Sequence, residues 1–332
     1  MAEYKGVMAF CEATEGRLAS TATELLGGGR KLANDLGQEL SAVLVGSGTS
    51  KLAQEAIAFG ADKVYVVDDQ LLKDYQTDSY VLVMEKVAKQ AMPQILIMGQ
   101  TAIGRDLAPR LAFKLDTAAS LGCLELAIDP QSKLMLQTKP VYGGNAQAVF
   151  ICESYPQIAT IRAKAMTPLE KDASRKGDII TIDASLDPSA IRTKVMEKVA
   201  EKVEGIRLED AKVVVSGGRG IGSAEGFKQL EELARLLKGA MGASRPPCDN
   251  GWIPAGAQIG LTGKIVNPDL YIAVALSGSS QHMSGCSGSK TIVAINKDPE
   301  ANIFREARFG VVGDWKKVIP AFTSKLKELL AG

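Results

Sequence analysis

The sequence predicts an α/β protein with two domains, each a mainly parallel sheet flanked by helices. Short apolar runs of strand length alternate with segments of helical spacing from residue 4 to residue 113. After a charged, polar stretch, the same alternation begins again near residue 212. A length of 332 residues is enough for two such domains. We therefore place the domains at residues 1–205 and 206–332.

Strands and helices alternate through the first domain and then give way to a β-rich region. Apolar runs predict strands, and apolar residues three or four positions apart predict helices. The predicted strands are 4–10, 40–45, 63–67 and 94–98, and the predicted helices are 21–36, 51–59, 77–90 and 105–113. The β-rich region has strands at 124–128, 134–139, 146–151 and 158–161, followed by an exposed connection at 166–178 and a helix at 187–204.

The second domain repeats the pattern of strand, turn and helix. Strands are predicted at 212–216, 270–276, 291–295 and 309–312, and helices at 224–238 and 315–330. Strands that alternate with helices form parallel sheets with right-handed crossovers, so this half is expected to be a Rossmann-like domain.

Bulk composition limits the classes of function. Hydrophobic residues make up 46% and charged residues 23% of the chain, and the formal net charge is +1. This balance gives no support for nucleic-acid binding or for insertion into a membrane. The 5 cysteines are scattered without a Cys-x-x-Cys pair, so we expect no metal site and a reducing cytoplasmic location. The first residues have the features of neither a secretion signal nor an organellar presequence.

Polar loops follow several strands of the second domain. The turn at 217–222 is rich in glycine and contains Arg219, which suits a phosphate, although an ordinary strand-to-helix turn is an equal alternative. Ser244 and Arg245, and Thr262 between two glycines, are weak signals when read singly. Because ligands bind at the carboxyl ends of parallel strands, several such loops together predict one large ligand.

The second domain also contains His282, the only histidine of the chain, in a Gly/Ser/Gln loop after an apolar strand. A lone histidine is more often a hydrogen-bonded structural group, but this position favours a site in which it donates a hydrogen bond or carries a positive charge. Asn296 and Asp314 follow two later strands and suit ribose or adenine contacts, with helix capping as the alternative. No G-x-S-x-G elbow supports a hydrolase.

Taken in order, these motifs closely resemble the FAD domain of the electron transfer flavoprotein α subunit. The resemblance is carried by VVVSGGRG, GASRP, QIGLTGK, LYIAVALSGSSQH and TIVAINKDPEA from about residue 211 to the end. GRDLAPRL and VYGGNA extend it, less sharply, into the first half. The resemblance implies one FAD in this chain and a heterodimer with a β subunit that holds AMP or a second FAD. It also implies that the first domain packs on the β subunit.

The resemblance further implies which residues contact FAD. The flavin-tuning residues would be Arg245 beside the isoalloxazine, Thr262 near N5, and Gln281 with His282 near O2, where they would stabilise negative charge on the reduced ring. No catalytic acid, base or nucleophile is expected. The full cofactor-binding set is Arg219, Ser244, Arg245, Ile259, Gly260, Leu261, Thr262, Ser277, Gly278, Ser279, Ser280, Gln281, His282, Asn296, Asp314 and Trp315.

Several functions remain open at this stage. The resemblance implies an electron carrier between acyl-CoA dehydrogenases, or related flavoprotein donors, and a quinone oxidoreductase or other acceptor. The alternative within the family is an electron-bifurcating form whose β subunit oxidises NADH. From other classes, a nucleotide-binding module without redox work and an independent pyridine-nucleotide dehydrogenase are less favoured. Leu261, where many family members carry Gln, and the pair Pro247 and Cys248 depart from the family pattern.

Overall fold

The computed structural model describes residues 4–14, 16–142, 146–197 and 206–331. The chain divides into two compact units, one formed by Met1–Pro140 and Gln147–Lys198, the other by Val141–Ala146 and Val199–Gly332. The predicted boundary between residues 205 and 206 adjoins the segment 198–205, which lies outside the described residues. The division at 205 therefore stays a prediction.

The first unit contains a seven-stranded parallel sheet, a two-stranded hairpin and a small three-stranded sheet. The large sheet has the order β12-β5-β4-β1-β6-β11-β7, so the chain changes direction across the sheet at β1. The strands of the unit are β1 (Val7–Phe10), β2 (Ala13–Thr14), β3 (Arg17–Leu18), β4 (Leu40–Gly46), β5 (Lys63–Asp68), β6 (Ile95–Gly99), β7 (Ala119–Cys123), β8 (Glu125–Ile128), β9 (Met135–Val141), β10 (Ala146–Ile151), β11 (Gln157–Ile161) and β12 (Asp178–Thr181).

Helices cover both faces of the large sheet. They are α1 (Ser20–Leu36), α2 (Ala53–Ala58), α3 (Thr77–Ala91) and α4 (Ala102–Lys114). Leu25 and Ile57, from α1 and α2, belong to the core on one face, while Met84 and Leu107, from α3 and α4, belong to the core on the other. Because both faces are covered, the central strands are nearly continuous apolar runs, which explains why the sequence located them well.

One predicted helix of this unit needs correction, and the strands β2, β3, β7 and β12 were not predicted. The helix predicted at 187–204 is a 3₁₀ turn at Pro188–Ala190, and residues 191–197 are not helical; residues 198–204 lie outside the described residues. Asp187 accepts a hydrogen bond from the Ser189 N–H, and the Arg192 guanidinium pairs with Asp78 on α3, so this polar segment lies along the surface as an extended chain. Strands β7 and β12 were missed, because both lie toward the edges of the sheet and have weak apolar patterns.

The second unit is a five-stranded parallel sheet of order β14-β13-β15-β16-β17. Its strands are β13 (Val213–Gly217), β14 (Ala240–Ala243), β15 (Leu270–Val274), β16 (Thr291–Asn296) and β17 (Phe309–Val312). Its helices are α5 (Ala224–Leu236), α6 (Arg245–Asp249), α7 (Ser280–Met283), α8 (Ile303–Glu306) and α9 (Trp315–Ala331). Only β14 and the three short helices α6, α7 and α8 were not predicted.

The α/β fold class with parallel sheets flanked by helices is thus confirmed for both units. In the second unit the strand order changes direction between β13 and β15, which creates a crevice outside the carboxyl ends of these strands. Within the described residues, no helix is long and apolar enough to cross a bilayer.

Candidate functional site

The predicted site residues of the second unit follow the carboxyl ends of its five parallel strands. Arg219 follows β13, Ser244 and Arg245 follow β14, and the loop of residues 277–282 follows β15. Asn296 ends β16, and Asp314 with Trp315 follows β17. Because every strand pair in this sheet is parallel, all of these residues emerge at one edge. The 259–262 loop joins them through a bridge between Ala243, at the end of β14, and Gln258.

The turn after β13 is shaped by glycine. A Cβ added to Gly218 would lie 2.1 Å from the carbonyl oxygen of Ala275, so only glycine allows the turns after β13 and β15 to approach each other. The Trp315 indole N–H donates to the carbonyl of Gly220 at 3.1 Å and is buried. Trp315 therefore supports the turn that presents Arg219, whose side chain is exposed.

Ser244 and Arg245 begin the short helix α6. The Ser244 backbone N–H donates to the carbonyl of Gly217 at 3.1 Å, which ties the end of β14 to the end of β13. Its side chain is buried, yet it makes no capping hydrogen bond. The Arg245 guanidinium is exposed, and its Nε pairs with Asp249 one turn later at 3.1 Å. Pro246 and Pro247 fix the first turn of the helix and so hold this pair of residues in place.

The 259–262 loop presents one hydroxyl and one apolar side chain. Gly260 has φ of 143°, and a Cβ there would lie 2.8 Å from the carbonyl oxygen of Gln281. Leu261 and Thr262 are exposed, while Ile259 is buried. The Gln258 side-chain amide donates to the Thr262 hydroxyl at 2.9 Å and thereby orients it. The site thus has an apolar group at 261, in agreement with the departure noted in the sequence.

The loop after β15 leads into the four-residue helix α7. Gly278 has φ of 79°, and a Cβ there would lie 2.3 Å from the backbone nitrogen of Ile303. Ser279 is the N-cap of α7, but its side chain makes no capping hydrogen bond. Ser277, Ser280 and Gln281 are exposed. This loop therefore offers several hydroxyl and amide groups at the edge of the sheet.

His282 is near the other predicted residues, but its charge differs from the expectation. Only 4% of its surface is exposed, Nδ1 lies 3.0 Å from the carbonyl oxygen of Ile259, and Nε2 lies 2.8 Å from the hydroxyl of Tyr271. Burial lowers the pKa of His282 to about 4, despite its hydrogen bond with Ile259. The imidazole of this structure is therefore neutral near pH 7, which favours hydrogen bonding over the positive charge as the role of His282. Its contact with a cofactor stays a prediction.

Two further predicted residues have structural partners of their own. The Asn296 amide nitrogen donates to the carbonyl of Leu276 at 2.8 Å, and its oxygen accepts from the Asp298 N–H at 3.0 Å. Asp314 accepts a hydrogen bond from the Lys316 N–H at 3.0 Å at the start of α9. The alternative of helix capping thus describes Asp314, whereas Asn296 connects the ends of two strands. Cofactor contacts by both residues remain predictions.

The arrangement fits a large nucleotide with phosphate groups. The hydroxyls of Ser244 and Ser279 are not used as helix caps. Two exposed guanidinium groups, Arg219 and Arg245, lie after neighbouring strands. Hydroxyl donors and arginines on glycine-rich turns are the groups that bind phosphates and sugars.

Comparison with known proteins decides the family. Residues 7–187 match the model of the electron transfer flavoprotein domain, and residues 207–287 match that of the electron transfer flavoprotein FAD-binding domain. The chain is 45% identical over 330 residues to the electron transfer flavoprotein subunit alpha of Thermoanaerobacterium thermosaccharolyticum, covering 99% of this chain and 100% of that one. The chain belongs to the electron transfer flavoprotein α-subunit family.

Two other relatives extend the comparison. The electron transfer flavoprotein subunit alpha of Bacillus subtilis is 42% identical over 325 residues, covering 98% of both chains. A protein of Anaerotignum propionicum named acryloyl-CoA reductase electron transfer subunit beta is 35% identical over 353 residues, covering 98% of this chain and 96% of that one. As a member of the electron transfer flavoprotein α subunits, this chain is a flavin-binding, electron-transferring subunit that pairs with a β subunit.

The sequence missed several residues that support the site of this electron transfer flavoprotein subunit. Tyr271 is the second residue of β15 and was read as part of an apolar run, although a hydroxyl within such a run needs a buried partner. Gln258 and Asp249 orient Thr262 and Arg245, respectively. Asp249, four residues after Arg245, could have been found from helical spacing.

Proposed function

We propose that this chain binds one FAD along the carboxyl edge of its C-terminal sheet, within a C-terminal domain of residues 206–332. The observation that supports this is the emergence of all the predicted polar residues at one edge of a parallel sheet, beside its switch point. When bound, the isoalloxazine accepts and releases electrons, while the protein sets its orientation and electrostatics.

The residues of this edge divide into two groups by their chemistry. The phosphates, sugar and adenine would be held by Arg219, Ser244, Asn296 and Asp314. Arg245, Thr262 and Gln281 would lie at the flavin ring. Arg245 keeps its charge because a guanidinium stays protonated, and Asp249 restrains its orientation from one turn away. Exposed hydrogen-bond donors at the flavin ring would stabilise the negative charge of its reduced form.

We further propose that the αβ complex carries electrons between acyl-CoA dehydrogenases, or related flavoproteins, and a quinone oxidoreductase or another acceptor. The name of the Anaerotignum propionicum relative, which refers to an acryloyl-CoA reductase, supports a partner that acts on acyl-CoA substrates. In this proposal the N-terminal domain, residues 1–205, packs on the β subunit. All five cysteines are free thiols, which supports a cytoplasmic location.

The test is the visible spectrum and cofactor content of the purified αβ complex. We expect a yellow complex with one FAD per αβ pair and AMP in the β subunit, reduced by an acyl-CoA dehydrogenase with its substrate. Two FAD per pair, together with reduction by NADH, would instead support the bifurcating form. A complex that stays colourless after incubation with FAD would contradict both forms and leave a nucleotide-binding module without redox work.

A further inference from the structure

The residues that precede β13 pack against the start of the 259–262 loop. Leu208 is buried and lies in the same apolar cluster as Ile259 and Val266. A Cβ added to Gly242 of β14 would lie 2.4 Å from the Ile259 side chain and 3.3 Å from the Leu208 side chain, so glycine leaves room for both of them over this strand. The chain that enters the second unit and the 259–262 loop therefore share one packing site.

Glu209, the next residue, forms an ion pair with Lys264, which follows the loop. Its Oε2 lies 3.1 Å from the Lys264 Nζ, and the side chains of Glu209 and Lys264 are 41% and 30% exposed. Water screens a pair with this exposure, so the attraction alone is modest. Because Glu209 directly follows the buried Leu208, the pair adds a directional contact where the chain is already held by packing.

Lys264 also closes the loop through its backbone. Its N–H donates to the carbonyl of Gln258 at 2.7 Å, and its own carbonyl accepts from the Gly260 N–H at 3.1 Å. The Gln258 side-chain amide donates in turn to the Thr262 hydroxyl at 2.9 Å. A displacement of Lys264 would therefore be transmitted through Gln258 to the hydroxyl that the loop presents at the edge of the sheet.

We propose that Glu209, through its ion pair with Lys264, positions the 259–262 loop and thereby sets the position of the Thr262 hydroxyl toward the cofactor. Glu209 and Lys264 are positioning residues in this view, and neither touches the cofactor. The contacts among these residues belong to the structure itself, while their consequence for FAD rests on the function proposed above. Glu209 lies before the motifs that carry the family resemblance, so those motifs do not select it.

Glu209→Gln tests the positioning of the loop without the cofactor. The measurement is hydrogen exchange of the backbone amides of residues 259–264, followed by mass spectrometry in the αβ complex after removal of FAD. Because glutamine keeps the size of the side chain but loses its charge, exchange of these amides should become roughly threefold faster. Unchanged exchange would overturn the proposal.

Glu232→Gln is the matched control for this substitution. Glu232 of α5 pairs with Lys327 of α9 at 2.6 Å in the same unit, and its side chain is 43% exposed, close to the value for Glu209. The control removes the same charge from an ion pair of similar exposure, so it should leave exchange at residues 259–264 unchanged. Equal acceleration in both variants would show a general loosening of the unit and would contradict the proposal.

Reversal and exchange of the charges test the ion pair itself. Glu209→Lys places two positive side chains together, and FAD retention should fall on the order of fivefold. Glu209→Lys combined with Lys264→Glu restores an ion pair of opposite polarity and should return FAD retention to within about twofold of the unsubstituted complex. A double variant as weak as Glu209→Lys alone would show that the pair does not position the loop.

Thr262→Val separates positioning of the hydroxyl from a purely structural role. If Glu209 acts through this hydroxyl, Glu209→Lys should weaken FAD retention by less than about twofold in the Thr262→Val background. An equal loss in both backgrounds would leave Glu209 a structural role only and would contradict the proposal. If the complex binds no FAD at all, the proposed function is contradicted, and the exchange measurement still decides whether Glu209 positions the loop.

Discussion

The two large sheets of this chain share one architecture but differ in the side chains at their carboxyl edges. Both are parallel, have helices on their faces and contain a point where the strand order changes direction. At the carboxyl edge of the N-terminal sheet lie two acidic side chains. In the C-terminal sheet, the same edge has hydroxyls that cap no helix, together with two exposed arginines.

Two carboxylates occupy the N-terminal edge. Glu12, two residues after β1, is partly buried and accepts a hydrogen bond from the hydroxyl of Thr101, the N-cap of α4. Asp68, at the end of β5, accepts from the backbone N–H groups of Gly48 and Ser50 and from the Ser50 hydroxyl. The donors of a glycine-containing turn after β4 are thus used by the protein itself.

The difference teaches that a switch point alone does not make a nucleotide site. A phosphate near Glu12 or Asp68 would meet a like charge and would compete with hydrogen bonds that are already made. The C-terminal edge also carries one carboxylate, Asp314, but it adds hydroxyl donors and two exposed arginines. We therefore expect this chain to bind one nucleotide, at the second sheet, and the following substitutions test that contrast.

The largest effect is expected for Ser244→Ala combined with Asn296→Ala at the C-terminal edge. Loss of two hydrogen bonds to the cofactor, each about 1.5 kcal/mol, should weaken FAD retention on the order of 100-fold. The measurement is FAD released on dilution of the αβ complex, followed by fluorescence. The matched control is Ser47→Ala, which removes a hydroxyl directly after β4 at the N-terminal edge and should leave FAD retention unchanged.

Because Asn296 also joins the Leu276 carbonyl to the Asp298 N–H, the thermal unfolding of each single variant without FAD is measured as well. A loss of FAD that follows the loss of stability would assign Asn296 a purely structural role. Normal FAD retention in the double variant would contradict the placement of the cofactor at this edge.

Asp68→Asn should have a smaller effect, confined to the N-terminal sheet. Burial raises the pKa of Asp68, but the hydrogen bonds from Ser50 and from the backbone outweigh it and hold the pKa below the ordinary value. The stabilisation is therefore present above the unfolded pKa of about 3.9 and is lost as the pH falls through the folded value. Because the carboxylate is largely exposed, the loss at pH 7 should stay below about 1 kcal/mol.

The measurement for Asp68→Asn is urea unfolding of the αβ complex at pH 7 and pH 3, with FAD content as the second readout. The difference from the unsubstituted protein should shrink at the lower pH, and FAD content should not change. A loss of FAD would place a nucleotide contact at the N-terminal edge and so remove the contrast between the two sheets.

The sequence predicted the strands and helices whose apolar pattern matches their burial in the fold. Buried central strands such as β4 and β15 are apolar runs, and long helices such as α1 and α9 have one apolar face, so their positions followed from periodicity. The edge strands β7 and β12 were missed because partial exposure weakens the pattern. The edge strand β14 is mostly buried and was missed because it is a run of four mostly small residues, AMGA. The helix expected after residue 187 was wrong, since local hydrogen bonds of Asp187 and the pairing of Arg192 with Asp78 replace helical contacts.

For the site, the sequence identified the loops but not their internal contacts. Ser244, Thr262 and Gln281 could be selected because polar residues after apolar strands form the edge of a parallel sheet. The partnership of Tyr271 with His282 joins residues on a strand and a helix that only the fold brings to 2.8 Å, so no local pattern contains it. The neutral state of His282 follows from burial, which depends on the packing of the whole unit.

Glu12→Gln should produce the smallest effect and has the opposite sign to Asp68→Asn. Burial raises the pKa of Glu12, although its hydrogen bond with Thr101 partly lowers it. A raised folded pKa means that the ionised carboxylate is less favourable in the folded protein. Stability therefore decreases as the pH rises from the pKa of the unfolded chain through the pKa of the folded protein.

Glutamine keeps an acceptor for Thr101 without the charge. At pH 7 we expect Glu12→Gln to be neutral or stabilising by up to about 1 kcal/mol, with a flatter dependence of unfolding on pH between 4 and 7. Marked destabilisation would mean that the charge itself, and not only its hydrogen bond, holds the N-terminal edge together.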